Sequence, residues 1–191
     1  MNYFAHGRRF VNQPYFMAGT SVPDWLPVLD RRIKARPKGV RPFLDHEDPD
    51  LSAMAAGILQ HHHDDGWFHV SEPFIKLSMA CTGHWRELLG KQSGLRCRFL
   101  GHVLVELLLD AELIRRDPDL LDEYYQVMES LDGERVEKLV STMTTKPASG
   151  RCKSPAVDWS RRARQHSPRC SASAASILAR RESRLPIMAE S

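Results

Sequence analysis

No stretch of this 191-residue chain reaches the roughly 18 uninterrupted apolar residues that a membrane-spanning helix needs. The best candidate, FLGHVLVELLLDAELI at 99–114, is interrupted by His102, Glu106 and Asp110, and reads instead as a buried core helix. Cysteine is scarce. Cys81, Cys97, Cys152 and Cys170 form no C-x-x-C pair, which argues against a thiolate zinc site or a disulfide framework and leaves reduced thiols as the simpler reading. Sustained period-two alternation of β-branched residues is missing as well, so nothing predicts strands. The opening MNYFAHGRRFVNQPYF lacks the apolar run behind a basic flank that marks a secretion signal, and the expectation is a cytoplasmic protein.

Charge is unevenly distributed. Residues 146–191 carry ten Lys and Arg against three Asp and Glu, whereas residues 1–145 are net acidic, so the overall charge of +3 describes neither part. The segment 146–191 is rich in Ser, Arg, Ala and Pro with scattered apolar residues, and it is predicted to be a disordered tail. One reading makes it a basic arm for nucleic acid or another polyanion. The other, a solvated extension, is favoured because Trp159 is its only aromatic residue available for stacking.

Residues 1–145 are predicted to form one all-α domain of five or six helices. Pro14 opens a helical segment expected to break or kink near Pro23 and Pro27. A proline-rich loop is expected over 36–50. Asp48 or Asp50 then caps a helix whose apolar positions Leu51, Met54, Ala55, Ile58 and Leu59 recur at helical spacing. Ser71-Glu72-Pro73 starts the next helix, to about Leu89. A Ser/Gly break at 93–94 precedes the long apolar helix, and Asp117-Pro118 and Asp132-Gly133 restart the chain twice more.

Four of nine histidines fall in GILQHHHDDGWFHV, residues 57–70. His61, Asp65 and His69 stand at i, i+4 and i+8, one face of a helix. His62 continues the line of Ile58 less well, His63 and Asp64 project elsewhere and are expected behind the ligands or in solvent, and Gly66 suggests a close approach of backbone or ligand. The long helix repeats the pattern with His102, Glu106 and Asp110 among leucines and valines. Buried carboxylates need partners. If the two stripes face one another, imidazole nitrogen and carboxylate oxygen together suit Zn, Fe, Mn or Ni better than Ca or Mg alone. A chance run of surface histidines, or an interhelical network without metal, is the alternative.

These pieces resemble the bacterial acyl carrier protein phosphodiesterase family, helical proteins related to the HD-type metal phosphohydrolases. MNYFAH matches its opening MNxxAH, Asp24 in AGTSVPDW its acidic residue after a Gly-containing turn, and GILQHHHDD its G-I-x-x-H-x-x-x-D at Gly57, Ile58, His61 and Asp65. His69 stands where the family often has Asp. His102 and Glu106 fall at the aspartate pair of its later helix, Leu107 replaces the following His, and Arg8 replaces a further His.

The resemblance implies an HD-like fold and a divalent transition metal (Mn, Fe or Zn) in a one- or two-ion centre that activates water for in-line attack on a phosphodiester. His61, Asp65 and His102 are the expected first ligands. His6, Asp24, His69 and Glu106 are expected as further ligands or as residues that orient them, with Asp65 and Glu106 as the catalytic carboxylates. The implied substrate is a phosphoester, acyl carrier protein among the candidates; phospholipid or nucleotide esters, or a non-catalytic helical binding module, are the alternatives. Arg8 and Arg9 either hold a phosphate or are surface charges.

Overall fold

The computed structural model describes residues 1–90 and 94–144. The predicted tail, and its boundary at 145/146, lie outside the described residues. The described chain is all-helical: α1 (Tyr3–Gly7), α2 (Pro14–Leu29), α3 (Pro37–Val40), a 3-10 turn (Arg41–Phe43), α4 (Pro49–Phe68), α5 (Glu72–Leu89), α6 (Gly94–Arg116), α7 (Pro118–Ser130) and α8 (Gly133–Met143). Six of these are longer than two turns, in line with the expected number, and none is long and apolar enough to cross a membrane.

Helix starts follow the local chemistry. Asp48 caps α4 by accepting from the Asp50 and Leu51 amides, with Pro49 in the first turn, so of the two candidate aspartates the earlier one is used. Asp117 accepts from the Leu120 amide and Asp132 from the Glu134 and Arg135 amides, starting α7 and α8. Ser71 precedes α5, but its hydroxyl donates backward to the Phe68 carbonyl instead of capping.

Two expectations are corrected here. Helix α2 is not broken at Pro23 or Pro27 but runs through both. Each interior proline removes a ladder hydrogen bond at a cost of about 3 kcal/mol. Ala18, Val22 and Leu26 of the same helix are buried in the main core, and that burial offsets the loss. The expected loop at 36–50 contains α3 and the 3-10 turn, because Pro37 and Pro42 sit in first-turn positions where no amide is needed.

The main core joins α2, α3, α4 and α8 through Val22, Leu26, Val40, Met54, Ile58, Leu139 and Val140. Helices α2 and α4 touch backbone to backbone. A Cβ on Gly57 would run into the Phe16 carbonyl oxygen and lie 3.0 Å from the Gly19 Cα, and one on Gly19 would run into the Met54 carbonyl. A smaller cluster of Phe4, Val11, Met17, Tyr124 and Tyr125 fastens α1 to α2 and α7, with the Phe4 and Tyr124 rings edge to face at 5.6 Å.

Helix α6 is not the buried core helix expected. It pairs chiefly with α5, where Gly101 lies against Ser78 and Thr82. Only Cys97, Gly101, Val105 and Asp110 among its described residues are buried, and Phe99 and Leu108 are exposed. Its leucines are too numerous for one interface, and the main core is closed by α8 instead.

Candidate metal centre

The two stripes meet around α1. Tight packing of α2 on α4 puts the Thr20 carbonyl 2.8 Å from His61 Nδ1; a carbonyl only accepts, so Nδ1 carries the proton and Nε2 is left as a lone pair. That Nε2 lies 3.4 Å from Asp65 Oδ2 and 3.8 Å from Asp24 Oδ1. His6, delivered by α1, stacks on the His61 ring with centroids 4.1 Å apart, and its Nε2 lies 3.3 Å from Asp65 Oδ1. His6, His61 and Asp65 thus offer three ligand atoms within 4.8 Å of one another.

A second triad adjoins the first. His69, at the C-terminal end of α4, donates from Nε2 to Glu106 Oε1 at 2.9 Å, and His102 Nε2 lies 3.1 Å from the same oxygen. His69, His102 and Glu106 again present three ligand atoms within 4.8 Å. Asp65 Oδ1 is 3.8 Å from His69 Nε2, so this carboxylate stands between the groups. The Met1 amino nitrogen lies there too, 2.5 Å from Asp65 Oδ1 and 3.2 Å from Glu106 Oε1.

Residues of the two predicted stripes therefore come together, with one regrouping. His102 belongs with His69 and Glu106, not with His61 and Asp65. Asp24 is half-buried at the edge of the first triad. Asp110, the last member of the second stripe, takes no place among the ligands: its Oδ1 accepts from the Ala5 amide at 3.0 Å, anchoring α1 and with it His6. Gly66 makes no close approach, since a Cβ there would meet nothing within 4 Å.

Two contributors were not singled out by the sequence, and a third was left open between two places. The Thr20 carbonyl fixes the His61 tautomer. Phe74 at the start of α5 packs against the rings of both His69 and His102, at 4.9 Å from each. Asp64, expected either behind the ligands or in solvent, takes the first place, with Oδ2 3.5 Å from His6 Nδ1 while Oδ1 accepts from Gln60. Helical phase could not name its partner, because His6 arrives from a different helix.

Electrostatics favour a cation here. Burial alone would raise the Asp65 carboxyl, but His6, His61 and the Met1 ammonium hold it well below the usual carboxylate range. Burial opposes protonation of His61, yet Asp65 and Asp24 outweigh it and push this imidazole above its ordinary value. Burial also raises Asp24, against the pull of His61 and His6. Both ring nitrogens of His6 are buried without an aligned hydrogen bond, although carboxylates stand close by. Buried polar atoms normally find partners. An ion taken up among His6 Nε2, His61 and Asp65 would satisfy one of them and leave Nδ1 to carry the proton towards Asp64, so the donor set fits a divalent transition metal.

Compared with protein-family models, with curated proteins and with solved structures, the chain matches none.

Proposed function

We propose that this protein is a metal-dependent phosphodiester hydrolase using a divalent transition metal, Mn, Fe or Zn, held by His6, His61 and Asp65, with His69, His102 and Glu106 able to hold a second. The observation that carries the reading is the adjacency of the two histidine–carboxylate triads, with Asp65 within 3.8 Å of a histidine nitrogen of each. Metal held there would supply Lewis acidity, lowering the pKa of water and offsetting charge on a phosphoryl group.

The chain's own residues do the rest. Thr20 locks His61 with its Nε2 lone pair turned inward. Asp24, beside His61, is placed to accept a proton from an attacking water. Phe74 shields one side of His69 and His102 from water, which strengthens their interactions with Glu106. The sequence resemblance adds acyl carrier protein to the phosphodiesters worth testing.

Elemental analysis of freshly purified protein tests the first requirement, with stoichiometric Mn, Fe or Zn expected. Metal-dependent release of p-nitrophenol from bis(p-nitrophenyl) phosphate, abolished in His61→Ala with the fold intact by circular dichroism, tests the second. Protein without metal and with a melting curve indifferent to EDTA overturns the proposal, leaving a helical binding module.

A further inference from the structure

Helices α5 and α6 form a hairpin whose apolar surface is not used up by folding. Phe74, at the base of α5, touches His69 and His102. Leu77 and Leu88 lie three and fourteen positions further on, along the same helical face, and are 54% and 62% exposed. On α6, Phe99 shares a face with His102 and Glu106, one turn beyond His102 towards the hairpin end, and is 66% exposed. These side chains continue the side of the hairpin that carries the second triad. Exposed apolar residues aligned in this way, beside a polar site, mark an interaction surface.

The surrounding charge says what covers it. Between residues 77 and 101 the described charged residues are Arg86, Arg96 and Arg98 against Glu87, and Glu87 already faces His84 at 3.9 Å. All three arginines are exposed and none forms an ion pair among the described residues; Arg86 projects from the face of α5 opposite Leu77 and Leu88, whereas Arg96 and Arg98 flank Phe99. Exposed leucine and phenylalanine with unpaired arginines beside them form the composition of a surface that lies in the headgroup layer of an anionic bilayer. From Gly94 to His102 is eight residues, roughly 12 Å of helix, so a surface held at the hairpin end is within a lipid molecule's length of the second triad.

We propose that the α5–α6 hairpin seats this protein on an anionic phospholipid surface through Leu77, Leu88 and Phe99, with Arg96 and Arg98, beside Phe99 on α6, contacting lipid phosphates. It follows, on the hydrolase reading given above, that the phosphodiester presented to the two triads is that of a lipid headgroup. The docking itself does not depend on that reading.

The test is co-sedimentation of the full-length protein with vesicles of phosphatidylcholine plus phosphatidylglycerol, and with phosphatidylcholine alone. Selective binding to the mixed vesicles is expected. L77D/L88D/F99D should lower it by roughly tenfold or more per insertion site lost. Because the three side chains are exposed, the variant's thermal melt should match the wild type. Metal-stripped protein should still sediment with the vesicles while losing phosphodiester hydrolysis, which separates failure of docking from failure of the hydrolase reading.

Equal binding by wild type and variant would place the affinity in the basic residues 146–191 and overturn the proposal. So would equal binding to both vesicle types, or none to either. A wild-type dimer that the variant turns into a monomer would make the face a self-association surface and overturn the proposal as well.

Discussion

Two Gly→Ala substitutions on one helix should have opposite signs. At Gly57 the added methyl would overlap the Phe16 carbonyl oxygen of α2, so the two helices must separate by about an ångström to restore van der Waals distance. Gly57 lies one turn before His61, whose Nδ1–H donates to the Thr20 carbonyl at 2.8 Å across that same interface, and an ångström of separation takes the pair beyond hydrogen-bonding range. Overpacking costs about 1–3 kcal/mol and loss of a buried hydrogen bond about 1–3 more. The better helix propensity of alanine returns about 1. The expected net destabilisation is roughly 3 kcal/mol, a drop in Tm of roughly 10 °C for a domain of this size. At Gly66, exposed in the same helix, the added methyl meets nothing within 4 Å, so the propensity gain of about 0.5–1 kcal/mol stands alone and Tm rises. Urea unfolding of both variants, followed by circular dichroism, measures the difference, and the Gly57→Ala protein should also purify with less bound metal. Equal stability of the two variants would refute the close approach of α2 and α4 and the account of how His61 is oriented.

EDTA should lower the Tm of the purified protein, because ligand that binds only the folded state stabilises it, and the shift should vanish in His61→Ala; a Tm unmoved by EDTA in the wild type contradicts the centre. Asp110 is buried, and burial pushes its carboxyl up to about 7. The folded state then holds this proton more tightly than the unfolded chain, so metal-free stability should fall as pH rises from about 4 to about 7, by up to about 4 kcal/mol, and level off above. Asp110→Asn keeps an acceptor for the Ala5 amide and should flatten that slope; an unchanged slope in urea titrations at several pH values would show that Asp110 is not its source. Arg135 pairs with Asp48 at 2.5 Å and Asp50 at 3.1 Å, tying α8 to the start of α4. Arg135→Ala should give a modest loss of Tm at low salt that narrows at high salt; a salt-independent loss would point to lost packing instead.

Local chemistry was legible from the residues alone. Asp48, Asp117 and Asp132 start helices because a carboxylate one residue ahead of a turn satisfies free amides, and this needs nothing distant in the chain. His61, Asp65 and His69, like His102 and Glu106, share faces because helical periodicity is itself local. Prolines misled in both directions. Of the break or kink that Pro23 and Pro27 predict, the break is overridden by burial of Val22 and Leu26, while Pro37 and Pro42 sit in short helical turns within the stretch read as a loop.

The amino-acid sequence by itself determined that the described residues are all-helical and that they carry two stripes of imidazole and carboxylate, since both follow from interactions within a few residues. Only the tertiary structure decided how those stripes divide into two triads, that α1 carries His6 against His61, that Asp110 anchors α1, and that the apolar helix α6 leaves Phe99 in the open. The register of one helix against another is set by side-chain volume and backbone contact at places such as Gly19 and Gly57, and periodicity along a single helix carries no record of it.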